Sequence, residues 1–146
     1  MKRYCIFIFI IFCALNAHSF SSYKASYDLF GKTDLGFIKF GSAEYELLVT
    51  NSAYVFTSNA QTNDLWRAIY DYSRQEISIG LIVSNKLVGD YYKVTENQRD
   101  SISDNYEINI YHDKQSVSIN NETILETNPG EIVDALSVYL KISEDI

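Results

Sequence analysis

The chain has few of the residues that bind metals or interrupt strands. It contains one proline, two histidines and two cysteines among 146 residues. Cys5, Cys13 and His18 all lie near the N-terminus, so the rest of the chain has no cysteine and a single histidine, His112. Protein zinc sites use three or four ligands, mostly of these two types, and a disulfide needs two cysteines. The sequence therefore predicts no metal site, no cofactor and no disulfide in the main body of the chain.

Positive charge is scarce as well. Lysine and arginine number 12 against 19 aspartates and glutamates, which gives a formal net charge of −7. Without Lys2 and Arg3, which belong to the N-terminal segment, 10 basic residues face 19 acidic ones and the net charge is −9. Nucleic acids and anionic lipid surfaces bind clustered positive charge. The acidic balance therefore argues against both kinds of partner.

Long apolar runs are missing except at the N-terminus. Residues 4–15 (YCIFIFIIFCAL) are twelve consecutive apolar residues, preceded by Lys2 and Arg3. Small residues follow and place a cleavage site after Ala17 or Ser19. This order is typical of a secretory signal peptide. An uncleaved membrane anchor is the alternative, but twelve residues fall short of the roughly 20 that cross a bilayer as a helix.

Two parts of the chain are therefore predicted. Residues 1–19 form a cleaved signal peptide, and residues 20–146 form a single β-rich domain that is periplasmic or secreted. After cleavage no transmembrane segment is expected.

Aromatic residues are abundant, with twelve tyrosines and eight phenylalanines, and they favour strands because they fit a pleated surface. Residues 23–30 alternate apolar and polar, as a half-buried strand does. In the next strand the apolar positions change from even (Ile38, Phe40) to odd (Tyr45, Leu47). One extra residue in a strand moves every later side chain to the opposite face. We therefore predict a β-bulge at Gly41 that bends a long strand.

Similar alternation predicts further strands, and two segments favour helix. A strand is expected within 51–62, after a turn signal at its start, and further strands over 74–83, 87–95, 105–112 and 115–120, with a polar loop at 95–105. Residues 64–72 have the spacing of one or two helical turns, and residues 128–142 begin with a capping pattern. The predicted fold class is mainly β: a curved antiparallel sheet or partly open β-barrel with a short connecting helix and a C-terminal helix.

Several ordered motifs resemble a known family. They are YKASYDLF, GFIKFGSAEYEL, YVFTSNAQTNDLW, the Tyr-x-Tyr at residues 70–72, the IYHD hairpin and DALS in the closing helix. In this order, over residues 23–140, they resemble a family of exported bacterial proteins known only as a domain of unknown function, number three-one-zero-eight in the DUF series. The resemblance implies an exported domain with a curved sheet, and it implies no catalytic residues.

The family's proteins usually continue with further strands beyond the Asp-x-Leu-Ser helix, whereas this sequence ends there. The expectations are a smaller sheet, a sheet that another element completes, or a C-terminally short member of the family. An incomplete sheet has an unpaired edge, which is a template for another strand.

Catalytic constellations are missing from the sequence. His112 with the neighbouring Asp113 is the one candidate for a general base, and a histidine in a hairpin turn is the simpler interpretation. Asp100 and Asp104 only faintly resemble a calcium loop, because the glycine and the terminal glutamate are absent. Glu44 and Glu46 share a strand face that we expect to be solvated. The sequence therefore predicts no catalytic residues, and an enzyme is the less favoured interpretation.

The aromatic residues offer the remaining functional signal. They either pack the core or line an apolar pocket on the inside of the sheet, and the number of tyrosine hydroxyls favours a partly open, amphipathic cavity. The sequence therefore predicts a non-enzymatic envelope protein that binds an apolar or amphipathic ligand, such as a lipid. The alternative is an interaction module that pairs with itself or another envelope protein through a sheet edge or the C-terminal helix. The candidate ligand-binding residues are Tyr23, Tyr27, Tyr45, Tyr54, Phe56, Trp66, Tyr70 and Tyr72.

Overall fold

The computed structural model describes residues 20–34, 36–99 and 103–126 together with Asp134 and Leu136. Eight strands follow one another, and each pairs antiparallel with the next in a single open sheet. One helical turn, α1, lies between the third and fourth strands. The strands are β1 Tyr23–Thr33, β2 Gly36–Val49, β3 Ala53–Thr62, β4 Tyr72–Val83, β5 Lys86–Gln98, β6 Asn105–Tyr111, β7 Ser116–Ile119 and β8 Glu122–Glu126, and α1 is Asp64–Arg67. The prediction of a mainly β, antiparallel fold is confirmed, as one open sheet of eight strands.

The parity change in β2 is explained by a bulge. Leu29 pairs with Gly41 and Phe30 pairs with Lys39, so Phe40 is the extra residue of β2. The bulge therefore lies one residue before the predicted position. After it, Ala43 and Leu47 are buried. An alanine at position 41 would bring its Cβ within 2.5 Å of the Gln61 carbonyl oxygen, so this close approach requires a glycine.

Two more bulges interrupt the ladder. Ile79 pairs with Tyr91 while Gly80 pairs with Gly89, which leaves Asp90 unpaired in β5. Ile124 is skipped in β8 in the same way. Bulges bend strands and increase their twist, so each of these irregularities adds to the curvature of the sheet.

One face of the sheet carries the core and is called the inner face below. Its main hydrophobic cluster is formed by side chains from β2, β3 and β5 and by Leu136, and Tyr54, Phe56 and Val94 are among the least exposed. The outer face carries charged side chains along β1 and β2. There, Lys24 Nζ lies 2.7 Å from a Glu44 carboxylate oxygen, and both side chains are about half exposed. The expected solvated position of Glu44 and Glu46 is confirmed.

Helix α1 crosses the end of the sheet between β3 and β4. Asn63 caps it, because its side-chain oxygen accepts a hydrogen bond from the Trp66 amide at 3.2 Å. The Asn63 side-chain amide also donates to the Lys39 carbonyl at 3.2 Å, and its backbone amide donates to the Phe40 carbonyl. These bonds fix the helix beside the β2 bulge, and they confirm the short connecting helix.

Two sequence predictions need correction. The loop expected at 95–105 is partly strand, because β5 continues to Gln98. A strand over Glu122–Glu126 was not expected, and it follows a tight turn at Asn120 and Asn121, both with positive φ.

Two predicted segments lie outside the described residues. They are the signal peptide over 1–19 and most of the C-terminal helix over 128–142. Among the residues that the structure describes, no helix is long and apolar enough to cross a membrane.

Candidate functional site

An apolar groove of about 430 Å³ lies on the inner face along β1, β2 and β3. Its volume is within the range of small-molecule sites. Four of the eight predicted residues line it. The lining residues are Tyr23, Tyr27, Leu29, Ala43, Tyr45 and Phe56.

The four aromatic rings of the groove form a continuous series. The Tyr27 and Tyr45 ring centroids are 5.8 Å apart at nearly a right angle, and the Tyr45 and Phe56 centroids are 6.3 Å apart. Tyr23 meets Phe56 at 6.1 Å. Such tilted contacts are favourable for aromatic pairs. Phe56 is 1% exposed and Tyr27 is 56% exposed, so the series runs from the buried core to solvent.

Strand pairing explains why these residues meet. Tyr27 pairs with Ala43, and the inner-face residue that follows Ala43 on β2 is Tyr45. Because side chains alternate between faces, the odd positions of β1, the odd positions of β2 after its bulge and the even positions of β3 all point to the inner side. The small side chain of Ala43 leaves the space between the rings open.

The other four predicted residues lie elsewhere. Tyr54 is 1% exposed in the core, and its hydroxyl lies 3.2 Å from the Ser78 hydroxyl. Trp66 is half-buried in α1, and its buried indole nitrogen makes no hydrogen bond within the described residues. Tyr70 stacks on Tyr72 with centroids 6.0 Å apart and planes 13° apart. The prediction therefore grouped side chains from the groove, the core and a separate aromatic pair.

Beside the groove lies a charged cluster that the sequence analysis did not identify. It consists of Arg74, Glu76 and Glu96 on the inner face of β4 and β5. The Arg74 guanidinium donates through Nε to Glu76 and through Nη1 to Glu96, the latter at 2.8 Å. Tyr92 donates to the second oxygen of Glu76 at 2.8 Å, and Tyr72 donates to Glu96 at 3.4 Å.

The three proton-donating side chains of the cluster, Tyr92, Tyr72 and Arg74, have raised pKa values. Burial, together with the Glu76 carboxylate, raises the pKa of Tyr92 well above its usual range. Burial and Glu96 also raise the pKa of Tyr72. Burial disfavours the Arg74 cation, but hydrogen bonds to Glu76 and Glu96 outweigh this effect and raise its pKa. At neutral pH Arg74 therefore stays positively charged, and Tyr92 and Tyr72 keep the hydroxyl protons that they donate to Glu76 and Glu96.

We expect the domain to lose stability at alkaline pH because of these tyrosines. The pKa of Tyr92 is higher in the folded protein than its ordinary value of 10.0, so the unfolded chain loses this proton first. The free energy of unfolding is then fully retained below about pH 10 and falls above it, by up to about 1.4 kcal/mol per pH unit for each such group.

Urea unfolding between pH 8 and 11 measures this slope. Tyr92→Phe should make the slope shallower, whereas Tyr111→Phe, at an exposed strand end, should leave it unchanged. A slope equal in all three proteins would contradict the assignment to Tyr92.

Two further polar contacts bear on the sequence predictions. Ser78 is fully buried and donates to Asp134 at 2.8 Å, which holds Asp134 against β4. His112 lies in the predicted hairpin turn. Its Nε2 is 2.9 Å from the Gly89 carbonyl oxygen and 3.1 Å from an Asp90 carboxylate oxygen. The carboxylate beside the histidine is therefore that of Asp90 rather than the predicted Asp113.

Among the described residues, no group of three or more histidine, cysteine, aspartate or glutamate side chains is arranged to hold a metal ion. Asp100, half of the faint calcium pattern, lies outside them.

The sequence matches no protein-family model, and comparison with curated proteins and with solved structures finds no significant match.

Proposed function

We propose that this chain is an exported cell-envelope protein that binds an apolar or amphipathic ligand, such as a lipid, and has no catalytic activity. The observation that carries the proposal is the groove lined by four aromatic rings, of which Tyr27 is the most exposed. Apolar lining with a few polar groups at the margin is the usual composition of such sites. The N-terminal pattern of basic, apolar and small residues supports export. The bulges in β2, β5 and β8 support a sheet that curls toward a partly open barrel.

The family resemblance stays a prediction that rests on the order of its motifs. Periplasmic placement and cleavage after Ala17 or Ser19 are part of the same proposal.

Native mass spectrometry of the chain, expressed with its N-terminal segment and recovered from the periplasm, tests the proposal. We expect a monomer with an additional mass that organic solvent extracts. Tyr45→Ala should reduce the occupied fraction several-fold, because Tyr45 contacts both Tyr27 and Phe56. Tyr111→Ala removes an exposed tyrosine outside the groove and should leave the occupancy unchanged. A bare monomer that also binds no added amphiphile would contradict the proposal.

A second candidate function is pairing between copies through β1. In the described sheet β1 is an edge strand, paired only with β2. Its side chains include exposed Phe30, and an unpaired edge accepts another strand. In the same spectrum a bare dimer would favour this function over ligand binding. The C-terminal helix, the other surface predicted for interaction, lies outside the described residues apart from Asp134 and Leu136.

A further inference from the structure

The groove and the charged cluster lie in the same rows of side chains across the inner face. Ala43 pairs with Ala60, and Ala60 pairs with Arg74. In the next row Ser58 stands between Tyr45 and Glu76. Neighbouring strands are about 4.8 Å apart, so β2 and β4 are separated by about 10 Å. Only the small side chains of Ala60 and Ser58 fill these rows between the aromatic groove and the cluster.

The cluster has more negative than positive charge. Glu76 and Glu96 face the single cation of Arg74, and the three side chains are between 13% and 28% exposed. Glu96 accepts both of its hydrogen bonds, from Arg74 and Tyr72, on the same oxygen, and its other oxygen accepts none from the described residues. A net charge of −1 with spare acceptor capacity, on side chains that are mostly buried, attracts a cation and repels an anion.

Two neighbouring features fit a polar head group at this end. Tyr70 and Tyr72 are stacked on each other, and the Tyr72 hydroxyl donates to Glu96. The faces of aromatic rings bind ammonium cations. Thr62 lies on the inner face of β3, two residues beyond Ala60. It is 2% exposed, and its hydroxyl has no partner within the described residues. A buried hydroxyl without a partner is costly, and a polar ligand atom would satisfy it.

We propose that the aromatic groove and the Arg74–Glu76–Glu96 cluster form one amphipathic site that binds a ligand with an apolar chain and a cationic ammonium head. The inference rests on the proposed ligand-binding function and specifies its ligand class. The chain lies against Tyr27, Tyr45 and Phe56, crosses the small residues of β3, and places its head beside Glu96 and Tyr72.

Isothermal titration calorimetry with two single-chain amphiphiles tests the proposal. The probes are decyltrimethylammonium and decanoate, both below their micelle concentrations, and the protein is the full chain expressed with its N-terminal segment. We expect the wild-type protein to bind decyltrimethylammonium about tenfold more tightly than decanoate. A ratio of this size is what one nearby negative charge would produce by attracting the cationic head and repelling the carboxylate. This comparison needs no variant, so it does not depend on how a substitution affects folding.

Two variants test whether the preference for the cationic amphiphile comes from the cluster or from the overall negative charge of the protein. Glu96→Gln should reduce the ratio to about twofold. Glu46→Gln makes the same change in net charge on the outer face, where the side chain is 39% exposed, and should leave the ratio near tenfold. Thermal melts establish that both variants are folded.

The outcomes distinguish the two proposals. If the two amphiphiles bind equally, or decanoate binds more tightly, the cationic head is wrong and the apolar groove stands. If both variants lower the ratio equally, the preference comes from overall charge, and the cluster is not the head-group site. If neither amphiphile binds, the proposed ligand-binding function fails and this inference fails with it.

Discussion

Replacing Gly80 by alanine is expected to lower the free energy of unfolding by about 3 kcal/mol or more. The added Cβ would collide with the Val88 carbonyl oxygen, and it would lie 2.8 Å from Tyr54 Cε1 and 2.9 Å from Gly89 Cα. Real Cβ atoms essentially never come closer than 3.0 Å to such neighbours. Two of these contacts are with backbone, which cannot move aside without opening the β4–β5 ladder at its bulge. In a domain of this size the expected fall in Tm is on the order of 10 °C.

Gly89 provides a matched control for this prediction, because it is the residue that pairs with Gly80 across the bulge. A Cβ at position 89 would have its nearest neighbours at 3.6 Å, an ordinary contact distance. Gly89→Ala is therefore expected to change stability by less than about 1 kcal/mol. Urea unfolding followed by circular dichroism measures both variants. Equal losses at the two positions would show that the bulge tolerates no side chain anywhere and that the close approach at Gly80 is not the cause.

The alternation of apolar residues was sufficient to predict most strands of this sheet. The parity change in β2 located a bulge to within one residue, because a period of two leaves no other way to keep Ile38 and Leu47 on one side. The hairpin turn at His112 was also predicted correctly. Strand β8 was not predicted, although the Asn120–Asn121 pair is a recognised signal for a tight turn between strands. Both residues adopt positive φ, which asparagine tolerates better than most residues.

Four of the eight predicted ligand-binding residues line the groove, and the pairing of the strands explains why these four were predictable. Tyr23, Tyr27, Tyr45 and Phe56 come together because three successive strands pair in register on the inner face. Strand patterns contain this information, since the parity of each strand indicates its inward side. Trp66 and Tyr70 lie outside the strands, where aromatic composition alone does not predict position.

The charged cluster was missed for a different reason. Charged residues within a strand are normally expected on the solvated face, and the polar segment 95–105, which contains Glu96, was predicted to be a loop. Arg74 and Glu76 do share the parity of buried Ser78, which is the one local signal that they point inward. Their partner Glu96 lies 20 or more residues away in the sequence. A pairing between strands that brings three charges together cannot be recognised from either strand alone.

Replacing Arg74 by methionine is the second change with a large expected effect. It would leave Glu76 and Glu96 near each other on the inner face with 13% of each side chain exposed and no cation between them. Removing one partner of a largely buried ion pair is far more costly than the pair's net contribution, because an uncompensated charge remains. We expect a loss of about 2–4 kcal/mol at neutral pH, somewhat below the fully buried case because Arg74 retains partial contact with water.

Arg67 is the matched control, since it also lies between two carboxylates. Its guanidinium is 3.1 Å from Asp64 and 3.6 Å from Asp71, but its side chain is 46% exposed. Exposed ion pairs contribute little, so Arg67→Met should cost less than about 1 kcal/mol. The triple variant Arg74→Met, Glu76→Gln, Glu96→Gln should recover most of the loss seen in Arg74→Met, because no unpaired charge is then left. If the triple variant is instead no more stable than Arg74→Met, the guanidinium stabilises the sheet through packing of its side chain, and the two glutamates are not held in place by its charge.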